Sequence, residues 1–80
     1  MKRVSITYYA IFREQRGLGS EELLTSAASY GDLYDELRAR HGFTLDPSLV
    51  RSAVNGAFVP KDQLLCEGDA VVFIPPVAGG

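Results

Sequence analysis

Only one stretch of this 80-residue chain carries a helical period long enough to bury a face, and strand-like patterns flank it on both sides. Tyr30, Leu33, Tyr34, Leu37 and His41 recur at i, i+3, i+4, i+7 and i+11, while Asp32, Asp35, Glu36, Arg38 and Arg40 take the opposite side. Ser29 is placed to cap this helix, with Asp32 three residues on as in a capping box. Acidic residues early and basic residues late suit the helix dipole, and Gly42 suits the left-handed stop. A single such helix can cover only one face of a sheet, so the expected architecture is two-layered α+β.

The flanks supply the sheet. Val4, Ile6 and Tyr8 alternate with Ser5, Thr7 and Tyr9, which predicts a strand over residues 3–9 with one buried face. Ala10 to Arg16 fits a short helical turn ended by Gly17-Leu18-Gly19. Residues 20–26 form a second strand, paired with the first. Beyond the helix and a loop containing Asp46-Pro47, residues 50–54 alternate again. Asn55-Gly56 then demands a tight hairpin, because both positions of a type I′ turn need positive φ. That turn sets Val54 opposite Ala57, Ala53 opposite Phe58 and Ser52 opposite Val59. Pro60 ends the pairing for want of a donor. After the turn at Glu67-Gly68-Asp69, Ala70 to Ile74 is apolar throughout, the pattern of a central strand covered on both sides. The first and last strands are expected to be parallel neighbours. The order β-β-α-β-β-β with a mixed five-stranded sheet and one main helix on one face describes the β-grasp, or ubiquitin-like, fold. The expected division is a domain over 1–74 and an extended tail over 75–80.

Composition narrows the function. Eight Lys and Arg against ten Asp and Glu give a net charge of −2, without the basic stripe that nucleic-acid binding requires. No apolar run reaches membrane-spanning length, and the first residues enter a strand pattern with no signal-peptide core. The single cysteine, Cys66, has no partner for an intramolecular disulfide, so the cytoplasm is the expected compartment. The single histidine, His41, has no nearby cluster to make a metal site or a triad; it is read as a helix-end residue satisfying a carbonyl. No metal site is expected.

The chemistry is expected at the end of the chain. Pro75-Pro76 stops the ladder and holds the residues beyond it extended. From Pro75 the tail reaches about 20 Å at ~3.3 Å per residue. Gly79 and Gly80 lack a Cβ, so a partner's backbone and an in-line nucleophile can come close to the terminal carbonyl. A carboxylate is inert until it is given a leaving group, as ATP does in forming an acyl-adenylate; attack by sulfide or a persulfide then leads to a thiocarboxylate, whose sulfur is a good nucleophile.

The segment Val71-Val-Phe-Ile-Pro-Pro-Val-Ala-Gly-Gly80 resembles the C-terminal signature of the molybdopterin synthase small subunit family of sulfur carriers. Tyr9-Ala-Ile-Phe-Arg-Glu14 is similar to that family's aromatic-Ala-x-x-Arg-Glu segment, and Ala53-Val-Asn55 agrees with its hairpin. The resemblance runs the length of the chain. It implies that Gly80 is adenylated by an ATP-dependent activating enzyme of the ubiquitin-activating type, with a transient glycyl-AMP and no cofactor held stably. It implies a sulfur donor such as a cysteine desulfurase or a rhodanese. It also implies a heterotetramer with a large subunit, which holds the catalytic side chains and passes the sulfur to cyclic pyranopterin monophosphate. This chain is then a sulfur-donating subunit with no complete active site of its own.

By the same resemblance, Tyr9, Phe58 and Ile74 match an apolar docking patch on the sheet face away from the helix. Plain core is the competing assignment for Phe58 and Ile74. Arg13 and Glu14, like Lys61, either pair with a partner or are simply solvated. Carriers for thiamine, cysteine or tRNA thiolation share the diglycine, but the thiamine carrier is shorter and lacks the double proline. A ubiquitin-like modifier, joined through Gly80 to a lysine, uses the same acyl-adenylate. A β-grasp module with an idle tail completes the alternatives.

Overall fold

The computed structural model describes residues 1–76. Its elements are β1 (Lys2–Tyr8), α1 (Ala10–Arg16), β2 (Ser20–Thr25), α2 (Tyr30–His41), a 3-10 turn (Pro47–Leu49), β3 (Arg51–Val54), β4 (Ala57–Val59) and β5 (Ala70–Ile74). The strands form one five-stranded sheet in the order β2-β1-β5-β3-β4. β1 and β5 run parallel, and the other pairings are antiparallel. This is the β-grasp arrangement expected from the residue pattern.

The local signals act where their chemistry places them. The Ser29 hydroxyl accepts the Asp32 N–H at 3.1 Å, which satisfies one of the orphan donors of α2. Gly42 stops the helix at φ 71, and its N–H donates to the Arg38 carbonyl. Asn55 and Gly56 have φ of 51 and 87, as a type I′ turn requires, and the β3–β4 register is the one that turn dictates. The segment expected as a loop at Asp46-Pro47 instead closes as a 3-10 turn. Proline supplies its first φ, and the Asp46 carboxylate accepts the Ser48 N–H.

The core lies between α2 and one face of the sheet. Val4, Ile6 and Tyr8 of β1, Val71 and Phe73 of β5, and Tyr30, Leu33, Tyr34 and Leu37 of α2 are all buried. Phe12 anchors α1 to this layer, with its ring 5.1 Å from Phe43 and 5.8 Å from Tyr34. Tyr34 in turn meets Phe73 edge-on at 5.3 Å, a favoured geometry for such rings. At the other end of α2 the buried Tyr30 hydroxyl donates to Asp69 at 2.7 Å, and the Cys66 N–H donates to the same oxygen. Backbone bonds from Tyr30 and Gly31 to Gln63 and Lys61 tie the segment before β5 to the start of the helix. A Cβ on Gly31 would stand 3.2 Å from the Lys61 carbonyl, a tight contact that glycine avoids.

One expectation fails. β5 is apolar throughout, yet only Val71 and Phe73 are buried; Val72 and Ile74 are half-buried and Ala70 is exposed. Helix α2 covers one face only. The apolar run records a second apolar face, one that no element among the described residues covers.

Candidate functional site

The uncovered sheet face is continuous in register. Thr7 of β1 lies beside Val72 of β5, Val72 beside Ala53 of β3, and Ala53 beside Phe58 of β4. This row crosses four strands with no charged side chain. Next to it, Ile74 lies beside Arg51. Phe58 is 58% exposed, too open for a core residue, and Ile74 is half-buried. Tyr9 is 55% exposed, and its extended backbone carries the β1 alternation to the same side. It caps α1 instead of closing the strand, because Ala10 turns the chain at φ 50. The structure therefore places Tyr9, Phe58 and Ile74 on the open side of the sheet. Solvated aromatic and aliphatic side chains grouped in this way are characteristic of contact surfaces.

This face also sets where the tail leaves. Ile74 is the last residue of β5, so Pro75 and Pro76 depart beside the patch, with Pro75 half-buried and Pro76 exposed. Pro76 closes the described part of the chain; Gly79 and Gly80 lie outside the described residues. Arg13 and Glu14 are exposed on α1, and Lys61 reaches back to the Pro47 carbonyl.

Sequence reasoning missed Arg51. Its guanidinium carbon sits 4.3 Å from the centroid of the Phe58 ring, a cation–π contact inside the apolar patch. The signal was available: Arg51 shares the outward phase of Ala53, while Ser52 and Val54 point inward.

A second polar group closes the far end of the core. Glu21 lies beside Ile6 on the helix side of the edge strand β2. Its carboxylate accepts from the Tyr8 hydroxyl at 2.7 Å and from Arg16 Nε and Nη2 at 2.8 Å each. These bidentate Arg16 bonds, with help from the Tyr8 hydroxyl, outweigh burial and pull the Glu21 carboxyl from 4.5 down to about 2. Burial first and the carboxylate second push the Tyr8 hydroxyl above its ordinary range. His41 does not satisfy a carbonyl as expected. Its Nε2 stands 3.9 Å from Glu21, with the ring against Phe43. Burial, reinforced by the Arg16 cation, holds the imidazole below its ordinary 6.5 despite the carboxylate. An inward charge on an edge strand discourages stray strand pairing, so this group reads as a structural clamp.

The clamp makes a signed prediction. The lowered Glu21 pKa stabilises the fold above about 4.5, and that contribution is lost as pH falls toward about 2. The lowered His41 pKa acts in the same direction, with stability lost as pH falls below 6.5. Glu21→Gln should cost about 1–2 kcal/mol at neutral pH, given the partial exposure of Arg16. Urea denaturation across pH should show the wild-type advantage shrinking toward pH 2; a gap constant with pH would refute the clamp.

The cavity between α2, the 3-10 turn and β3, lined by Gly31, Tyr34, Pro47, Val50, Ser52 and Lys61, holds about 10 Å³. That is room for one water, not for an organic substrate. Among the described residues no three His, Cys, Asp or Glu side chains group to hold a metal, and no helix is long and apolar enough to cross a membrane.

Residues 6–80 match the ThiS family. The chain belongs to the ThiS family. Within it, a molybdopterin synthase sulfur carrier subunit from Mycobacterium tuberculosis is 32% identical, with all of both chains covered. The subunit of the same name from Escherichia coli is 30% identical over 96% of this chain and 99% of its own. A putative molybdopterin converting factor subunit 1 from Pyrococcus furiosus superposes with a TM-score of 0.77 at 34% identity, over 96% of this chain and 100% of its own. The likeness to these ThiS family members is end to end. It spans the sheet and the proline exit together, so the features of the open face belong to the part of the chain that matches.

Proposed function

We propose that this chain is the sulfur-carrying small subunit of molybdopterin synthase and serves molybdenum cofactor biosynthesis. The observation that carries the reading is the full-length match to two sulfur carrier subunits of that synthase, at 32% and 30% identity. The fold supports it, because β5 ends at a proline pair beside an uncovered apolar face. The same match favours this pathway over thiamine, cysteine or tRNA thiolation.

In this reading a carboxylate oxygen of Gly80 attacks the α-phosphorus of ATP within an activating enzyme, and pyrophosphate leaves. Sulfide then attacks the glycyl carbonyl and AMP leaves, giving the thiocarboxylate. If a donor persulfide attacks instead, a thiol must afterwards cleave the S–S bond. Docking of the open face on the large subunit threads the tail toward cyclic pyranopterin monophosphate. Each carrier delivers one sulfur, so the two sulfurs of a dithiolene require two deliveries. Tyr9, Phe58 and Ile74 supply contact area, Arg13 and Glu14 flanking charge, and the two prolines direction. The large subunit contributes the catalytic side chains.

The test is reconstitution with the activating enzyme, ATP and sulfide, followed by intact mass measurement. One oxygen should be replaced by one sulfur. Adding the large subunit and cyclic pyranopterin monophosphate should then yield molybdopterin. Loading without conversion would assign the carrier to another pathway, and covalent adducts on other proteins would assign it to conjugation.

A further inference from the structure

We infer that the surface of the large subunit that covers the open face carries a carboxylate at its apolar centre, and that Arg51 is the residue that reads it. This inference rests on the docking role proposed above. Arg51 links two parts of the patch, Ile74 and Phe58. It is the cross-strand neighbour of Ile74, the last β5 residue before the prolines. Its guanidinium lies over Phe58, the most exposed aromatic ring of the fold. Stacking uses the face of the guanidinium and leaves its N–H edge free to bind a planar acceptor. Among the described residues no acid takes that edge: the ion pairs there are Arg16–Glu21, Arg40–Glu36 and His41–Glu21.

Solvent satisfies Arg51 in the free protein. It cannot do so once a partner covers Phe58 and Ile74, because the guanidinium lies over the Phe58 ring and Arg51 is the cross-strand neighbour of Ile74. Burying a cation without a counter-charge costs several kcal/mol, enough to cancel the gain from an apolar patch of this size. A partner that binds here must therefore meet Arg51 with an acceptor, and a carboxylate fits the fork bidentately. The other charged side chains in phase with this face are Arg3 and Glu22, which lie beside Leu24 and Ser5 toward the β2 edge. Charge complementarity thus asks for one acid near the root of the tail. Fixed there, the pair would set the direction in which Pro75 and Pro76 enter the partner.

Binding to the large subunit should be measured by calorimetry at low and moderate ionic strength for wild type, Arg51→Gln, Arg51→Glu and Phe58→Ala. Circular dichroism should first establish that each variant is folded. Arg51→Gln should weaken binding about 10- to 100-fold, and it should flatten the salt dependence, which a purely structural stacking role would leave intact. Arg51→Glu should bind worse still, and an Asp→Lys or Glu→Lys change at the contacting acid of the large subunit should restore it. If Phe58→Ala weakens binding while Arg51→Gln stays within twofold of wild type, the carboxylate inference falls and the docking face stands. If neither variant alters affinity, the docking face falls as well.

Discussion

Deleting Gly80 is expected to abolish sulfur loading while leaving the domain folded. The chemistry assigned to this chain takes place on the carboxylate of its last residue, so the position of that group decides the reaction. Removing one residue retracts the carboxylate by about 3.3 Å along an extended chain. Activation requires the reacting atoms to meet at roughly 3 Å, and a misplacement of about 1 Å already costs on the order of 100-fold. The adenylate should therefore not form, and intact mass should show the unmodified chain after incubation with activating enzyme, ATP and sulfide. Appending one residue should act in the same way, because the new carboxylate sits past the reacting position and carries a side chain into a passage shaped for glycine. Thermal unfolding should be unchanged in both variants, because the core closes with Val71 and Phe73 of β5. Loading at the wild-type rate in either variant would remove the terminal carboxylate from the mechanism, and the carrier reading with it.

The range over which a signal acts explains which parts of this protein are legible in its sequence. Features governed by neighbouring residues can be read to the residue: the ends of α2 from Ser29 and Gly42, and the β3–β4 register from Asn55-Gly56. The parallel pairing of β1 with β5 comes from topology, because a single helix and five strands leave few ways to close one layer. Errors arise where a residue's surroundings come from distant parts of the chain. An apolar run has the same pattern whether its second face is buried in its own core or left uncovered, and β5 is the second case where its sequence suggests the first. His41 has the spacing of a core residue and the position of a helix end, but β2, far away in sequence, brings Glu21 beside it. The clamp of Tyr8, Arg16 and Glu21 joins three elements, and no local motif announces it. Arg51 shows only its outward phase in the sequence; the Phe58 ring it lies over comes from the next strand. Gly79 and Gly80 carry the strongest expectation of all, and they lie outside the described residues.

Phe58→Asp should reduce affinity for the large subunit by about 100-fold or more, at little cost to the fold. The ring is 58% exposed on the three-residue edge strand β4, so folding gains little from it and loses little without it. A contact surface depends on it far more, because aromatic side chains at the centre of an interface often account for about 2–4 kcal/mol each. The neighbouring strand decides how the new carboxylate behaves. Arg51 already lies 4.3 Å from the ring centroid and is placed to pair with an acid at position 58. Pairing would soften the penalty of burying the acid, and it would also occupy the guanidinium edge reserved for the partner. The variant therefore loses aromatic contact and the recognised cation together. Its deficit should exceed that of Phe58→Ala, and it should depend less on salt than wild-type binding does. A double variant, Phe58→Asp with Arg51→Gln, leaves the introduced acid with no cation and should bind more weakly than either single change. Wild-type affinity in Phe58→Asp would mean that the large subunit grips another part of the molecule, and that the uncovered face of the sheet has a different purpose.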